Sequence, residues 1–193
     1  MESINRIEQT YRNLTASGKK ILKLFSGNPN ENGFCFPPDI LKEVYDRYFD
    51  SQEYRPEPKG LFPARKAIAH YYAKHEALVD PANIILTSGT SESFLYLFSL
   101  LAGPGDNILT PNPSYPLFDE IAKLRGVVLR SYHLLEEEAW RIDLADLKKK
   151  IDDRTRAIVL ISPHNPTGSV ATAGEIQEIT EEANRRNIPL LCD

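Results

Sequence analysis

Ala157-Ile158-Val159-Leu160-Ile161-Ser162-Pro163-His164-Asn165-Pro166-Thr167-Gly168 is the stretch from which the fold can be read. Its apolar, β-branched run does not alternate, which predicts a strand buried on both faces, and it breaks into a polar turn. A strand buried on both faces belongs to a parallel sheet, and in open α/β sheets ligands bind where such strands end. Thr172-Ala173-Gly174-Glu175 follows with the spacing of a capping box, and Ile176, Ile179 and Ala183 give the next helix one apolar face. Asn165-Pro166-Thr167-Gly168 reads either as a ligand loop or as a plain β-turn, since Asn, Pro and Gly each favour turns.

Working outward, the same alternation recurs. Downstream, Ile188-Pro189-Leu190-Leu191-Cys192-Asp193 is a strand with an acid at its end. Upstream, residues 83–87, 107–110 and 127–132 are strand candidates, with helices between them. Asn83-Ile84-Ile85-Leu86-Thr87 runs into Ser88-Gly89-Thr90-Ser91-Glu92, after which Phe94, Leu95, Leu97, Phe98, Leu100 and Leu101 form a helix apolar on nearly every side, expected to be buried. The amides that open a helix are unpaired and lie at the positive end of its dipole, so Gly89-Thr90-Ser91 suits a phosphate, or is an ordinary N-cap. Pro111-Asn112-Pro113-Ser114-Tyr115-Pro116 follows the strand at 107–110; Tyr115 there either offers its face to a flat ligand or packs on its own prolines. Asp143 caps a helix through Leu144, Leu147 and Ile151, and the acids and lysines at 136–138 and 148–150 read as solvated.

Before this alternation come an amphipathic helix carrying Ile4, Ile7, Tyr11 and Leu14 and closed by Gly18, and an extended candidate, Ile21-Leu22-Lys23-Leu24-Phe25, leading into the turn Ser26-Gly27-Asn28. Pro38 heads a helix expected to turn Leu41, Val44, Tyr45, Tyr48 and Phe49 inward, ending by Gln52 and Glu53. Tyr54 to Leu61 is a loop fixed by two prolines and a glycine, and a helix from Pro63 to about Leu78 follows.

Composition excludes several classes. With 23 Lys and Arg against 27 Asp and Glu, the net charge is −4, so no basic footprint argues for nucleic acid. No run approaches the ~18 apolar residues of a membrane span, and residues 1–9 carry no secretory pattern. Cys35 and Cys192 are too few and too far apart for a disulfide framework or a metal site, which favours a reducing, cytoplasmic setting.

Taken in order, Tyr54-Arg55-Pro56-Glu57-Pro58-Lys59-Gly60, Thr87-Ser88-Gly89-Thr90, Pro113-Ser114-Tyr115-Pro116, Asn165-Pro166-Thr167-Gly168 and Cys192-Asp193 carry a resemblance. From about Leu24 to its last residue the chain resembles the first half of a class I/II aminotransferase, of the aspartate-aminotransferase-like fold type I of pyridoxal 5'-phosphate enzymes. The fold this implies is α/β, a mainly parallel sheet with helices on both faces. Residues 1–50 would belong to the small domain and the inter-domain region, and 51–193 would form the first, incomplete part of the cofactor-binding large domain. The resemblance implies that Gly89, Thr90 and Ser91 hold the cofactor phosphate, that Tyr115 stacks on the pyridine ring, that Asn165 donates to its phenolic oxygen and that Asp193 pairs with the protonated ring nitrogen. Tyr54 resembles the tyrosine that reaches the phosphate of the neighbouring subunit, and Gly27 the loop glycine near the substrate carboxylate, so a homodimer is implied.

Members of the family carry the Schiff-base lysine a few tens of residues beyond the aspartate, and the resemblance assigns that role to no lysine here. It therefore places no catalytic residue in this chain. The expectation is a truncated aminotransferase, inactive alone, whose full-length parent moves an amino group from an amino acid to a 2-oxo acid. Its strand at 83–87 would lack its native neighbours. The same motifs serve a β-lyase, a synthase acting on S-adenosylmethionine or a decarboxylase, and a non-catalytic sensor uses the fold too.

Overall fold

The computed structural model describes residues 5–22, 27–51 and 54–193. They fall into two compact units, Met1–Arg55 and Pro56–Asp193.

In the first unit, helix α1 spans Arg6–Ala16. Asn5 caps it by accepting the Ile7 amide at 2.8 Å, and Gly18, at φ 74°, lets Lys19 N donate back to Leu14 O. Ile4, expected on this helix, Lys23, Leu24 and Phe25 of the extended candidate and Ser26 of the turn after it lie outside the described residues, as do Gln52 and Glu53. Helix α2 spans Pro38–Ser51 as the proline predicts. Its apolar stripe is not inward. Leu41, Val44, Tyr45, Tyr48 and Phe49 are all exposed. A stripe is buried only where a second layer meets it, and here Tyr45 and Tyr48 meet Phe49 on the same helix, with ring centroids 6.2 and 5.6 Å apart.

The second unit holds α3 (Phe62–Ala73), α4 (Thr90–Leu101), β1 (Asn107–Asn112), α5 (Leu117–Arg125), β2 (Val128–Leu135), β3 (Arg141–Ile142), α6 (Leu144–Lys150), β4 (Thr155–Leu160), α7 (Ala173–Arg186) and β5 (Leu190–Cys192). The strands lie in the order β3-β2-β1-β4-β5, parallel except for the antiparallel β2–β3 pair. Successive side chains of a strand point to opposite faces, and the core divides accordingly. Ile108, Ala157, Val159 and Ile161 pack with Phe94, Phe98, Phe118 and Ile121 of α4 and α5. Leu109, Ile158 and Leu160 pack with Leu147, Ile179 and Ala183 of α6 and α7. The expected capping box is complete: Thr172 accepts from Glu175 N while Glu175 accepts from Thr172 N at 2.7 Å.

Four expectations change. Residues 83–87 form no strand; Pro81–Asn83 is a 3-10 turn and residues 84–87 pair with none of the described strands, Leu86 N donating instead to Lys59 O at 3.0 Å. Ile-Ile-Leu composition suits a strand, yet a strand exists only against a partner, and none of the described strands lies beside this segment. Helix α3 stops at Ala73, short of Leu78, because Glu76 enters the left-handed region and Ala77 N bonds back to Tyr72 O. Helix α4 buries Phe94 and Phe98 but exposes Tyr96 and Leu100, since only one of its faces meets the sheet. Among the lysines read as solvated, Lys150 is half-buried, donating to Asp146 Oδ2 at 2.7 Å.

The loop at 56–61 takes the place of a strand neighbour. Lys59 Nζ donates to Ala82 O at 2.7 Å, and Arg65 donates to Gly60 O and Pro81 O. Gly60 sits at φ +84°, and a Cβ there would stand 2.6 Å from the Leu86 side chain. Gly60→Ala is therefore expected to lower the unfolding free energy by about 1–3 kcal/mol, from overpacking and positive-φ strain together. Urea titration checks this; a change within about 0.5 kcal/mol would show that the loop yields without cost.

Candidate functional site

The parallel pairing of β4 and β5 continues past both strands. Asp193 N donates to Leu160 O, and Ser162 N donates to Asp193 O, each at 2.9 Å. The backbone of Asp193 is thus fixed beside Ser162, with its side chain exposed. Beyond Ser162 the chain turns on itself: His164 N donates to Ser169 O at 2.7 Å and Gly168 N to His164 O at 2.6 Å. Gly168, at φ 76°, makes the left-handed step that closes this turn. Asn165 stands exposed on it, while His164 is buried beneath.

Tyr115 follows β1 on the adjacent strand end and is half-buried. Its ring meets Phe118 edge-on, 5.7 Å between centroids and 86° between planes. Phe118 in turn lies 4.6 Å from Phe94, one turn into α4. This row of rings links Tyr115 to the opening of α4, so packing on the core, rather than on its own prolines alone, holds the tyrosine.

At that opening Gly89 is the N-cap and offers no side-chain bond. Glu92 N and Ser93 N both donate to Gly89 O, whereas the amides of Thr90 and Ser91 find no acceptor among the described residues. Thr90 and Ser91 thus lie inside the first turn instead of capping it. The segment is braced from behind: Glu92 accepts from Ser88 N at 2.6 Å, Ser88 Oγ at 2.7 Å and Tyr96 OH at 2.5 Å. Those donors, Tyr96 foremost, hold the Glu92 carboxyl down at about 2, so it is ionised at any physiological pH.

Gly89, Thr90, Ser91, Tyr115, Asn165 and Asp193 therefore all belong to the second unit and lie where its strands end and α4 begins. Gly27 and Tyr54 belong to the first unit, where both are exposed. The open apolar groove along Ile7, Tyr11, Leu14 and Ile21 holds none of these groups. Cys35 and Cys192 are free thiols, and the described residues contain no cluster able to hold a metal. No described helix is long and apolar enough to cross a membrane.

His164 escaped the reading of the sequence. It is 5% exposed, its Nδ1 lies 2.8 Å from Thr167 Oγ1, and its Nε2 has no partner. Burial pushes its pKa below the ordinary histidine range, with the Pro113 carbonyl pulling the other way. Ser114 Oγ is likewise buried without a partner.

The residues fit a flat ring bearing a phosphate. Helix-opening amides and two hydroxyls that find no partner among the described residues suit the phosphate, nothing among the described residues beyond its chain neighbours lies within 4 Å of where a Cβ on Gly89 would project, and a supported aromatic, an exposed amide and a carboxylate stand at the strand ends.

Solved structures superpose closely on this arrangement. An alanine aminotransferase from Pyrococcus furiosus matches with a TM-score of 0.85 and 35% identity over 97% of this chain and 48% of that one. An aspartate aminotransferase mutant from Thermus thermophilus matches with a TM-score of 0.84 and 25% identity, covering 100% of this chain and 53% of that one. The fold is that of the aspartate-aminotransferase-like enzymes. The chain belongs to the aminotransferase class I and II family, whose sequence profile matches residues 19–193. Among its relatives are the glutamate-pyruvate aminotransferase AlaA of Haemophilus influenzae, 38% identical over 181 residues, and the tyrosine aminotransferase of Mus musculus, 34% identical over 178 residues. The chain covers 93% and 91% of itself in these matches but 45% and 39% of the relatives, so it spans less than half their length.

Proposed function

We propose that the whole protein is a cytoplasmic, homodimeric, pyridoxal 5'-phosphate-dependent aminotransferase of amino-acid biosynthesis, and that this chain supplies the half of the site that grips the cofactor. In this reading residues 1–50 belong to the small domain and the inter-domain region, and residues 51–193 to the cofactor domain. The observation that carries it is the delivery of Tyr115, Asn165 and Asp193 to neighbouring ends of β1, β4 and β5, beside the unpaired amides that open α4. Those amides, with the hydroxyls of Thr90 and Ser91, hold the phosphate. Tyr115 lies against the ring, Asn165 donates to its phenolic oxygen, and the Asp193 carboxylate accepts from the protonated ring nitrogen. Bound there, the cofactor supplies a sink for the electron pair left when a substrate Cα–H bond breaks. Gly27 stands near the substrate carboxylate, and Tyr54 reaches the phosphate site of the partner subunit. The substrates are an amino acid and a 2-oxo acid.

The test is to incubate the full-length protein with pyridoxal 5'-phosphate, alanine and 2-oxoglutarate, then with tyrosine in place of alanine, and to measure glutamate. Glutamate formed in step with loss of the donor is the expected result. Ammonia released without any 2-oxo acid would move the enzyme to elimination chemistry, and no turnover of any amino acid would sink the proposal.

A further inference from the structure

We infer that Glu92 is a positioning residue for the phosphate turn: it takes both donors of Ser88, commits that residue to the scaffold, and leaves the amides of Gly89, Thr90 and Ser91 to the ligand. This deepens, and rests on, the phosphate reading of the site proposed above.

Gly89 gives α4 no side-chain cap, so the shape of the helix opening has to come from its neighbours. Entry to the turn is fixed first. Leu86 N donates to Lys59 O at 3.0 Å, and Thr87 Oγ1 donates to Gly89 O at 3.1 Å and lies 2.8 Å from Ser93 Oγ. Between Thr87 and Gly89 stands Ser88, and Glu92 Oε2 accepts both its amide at 2.6 Å and its hydroxyl at 2.7 Å. Tyr96 OH holds the other carboxylate oxygen at 2.5 Å. Ser88, Glu92 and Tyr96 follow at the spacing that lines side chains along one helix face, whereas Thr90, two residues from Glu92, does not share that face.

The acid departs from the usual use of its position. In a capping box the residue corresponding to Glu92 reaches back to the amide of the N-cap, here Gly89. Glu92 reaches one residue further, to Ser88. The Gly89 amide is thereby spared, and with those of Thr90 and Ser91 it forms a run of consecutive donors that find no acceptor among the described residues. Ser88, its amide and hydroxyl both spent on Glu92, has no donor left for a phosphate.

The charge of Glu92 works the other way. A carboxylate in the first turn complements the helix dipole but repels an anion bound at the same opening. Any gain in phosphate affinity therefore comes from what Glu92 holds and not from its field, and removing the charge separates the two.

Titrations of the full-length protein with pyridoxal 5'-phosphate and with pyridoxal, which lacks the phosphate, test this together with amide hydrogen exchange in the absence of either. Glu92→Ala is expected to weaken pyridoxal 5'-phosphate about tenfold, the scale of one lost charge-assisted hydrogen bond, and to speed exchange at Ser88 by a similar factor, with pyridoxal affected less than about twofold. Glu92→Gln keeps an acceptor for Ser88, so affinity should stay within about threefold and Ser88 stay protected. Ser88→Ala removes the hydroxyl alone and should cost about threefold, less than Glu92→Ala. Tighter binding of the phosphate ester in both Glu92 variants would show that the field dominates and overturn the inference. Equal losses for the two compounds would reduce Glu92 to a general stabiliser of α4, and a larger loss in Ser88→Ala than in Glu92→Ala would put the serine on the phosphate; either overturns it. Should Glu92→Ala not fold, a tenfold loss in Ser88→Ala, or in Glu92→Gln with Ser88 still protected, would overturn it equally. Failure of the parent protein to bind either compound would count against the proposed function, while exchange at Ser88 would still decide whether Glu92 holds the turn.

Discussion

In the full-length protein, and on the proposed reading of the site, Asp193→Asn is expected to lower kcat by roughly 10²–10³-fold, the scale for removing one preorganised electrostatic partner, and to change the affinity for pyridoxal 5'-phosphate by only a few-fold. The reason lies in how Asp193 is held. Its amide donates to Leu160 O and its carbonyl accepts from Ser162 N, both backbone bonds at 2.9 Å, so exchanging the side chain does not move the residue. Asparagine has nearly the same shape. What it lacks is the negative charge that keeps a ring nitrogen protonated. The groups assigned to the phosphate, the amides of Gly89, Thr90 and Ser91, lie at the start of α4 and are untouched. Steady-state kinetics and a cofactor titration on the same preparation separate the two effects. An unchanged kcat would remove Asp193 from the chemistry, and equal losses in rate and affinity would make it an anchor only.

The sequence made the centre of the sheet legible for a physical reason that also explains where it failed. Residues 157–161 are buried on both faces and appear as a continuous apolar run, while 107–110 carry Ile108 and Leu109 between two buried polar residues, Asn107 and Thr110; each stretch is followed by a turn rich in proline. The end of β2 and all of β3 lack that signal. They are joined by a turn in which Ala139 and Trp140 adopt φ of 56° and 64°, a conformation that glycine or asparagine would normally announce. Residues 83–87 have strand composition, but composition does not supply a partner, and the segment stands without strand neighbours among the described residues, as the resemblance implied. The stripe on α2 was legible as a pattern, but a pattern does not say what covers it. At the site, Tyr115, Asn165 and Asp193 stand out because they are polar or aromatic groups at strand ends. His164 does not, because what marks it is burial and a ring nitrogen without a partner among the described residues, which sequence spacing cannot register.

Phe118→Ala is expected to cost about 3–5 kcal/mol of stability, the range for emptying a buried phenylalanine site. Phe118 is 1% exposed, and its ring lies 4.6 Å from Phe94, 5.9 Å from Phe98 and 5.7 Å from Tyr115. Those neighbours come from α4 and from the loop after β1, so a collapse that filled the cavity would have to move both together. A large residual cavity, and hence the upper part of the range, follows. The contrast is Leu100→Ala on the same face-sharing helix pair: Leu100 is 79% exposed, and its truncation should stay within about 0.5 kcal/mol. Urea unfolding of the full-length protein, followed at the midpoint with the slope held constant, measures both. Because the row from Tyr115 through Phe118 to Phe94 links the tyrosine proposed for the ring to the turn proposed for the phosphate, Phe118→Ala should also weaken cofactor binding below the denaturation midpoint, where the protein is still folded. A stability loss under about 1.5 kcal/mol would mean that the site collapses easily, and Phe118 would then not be the hub that fixes Tyr115.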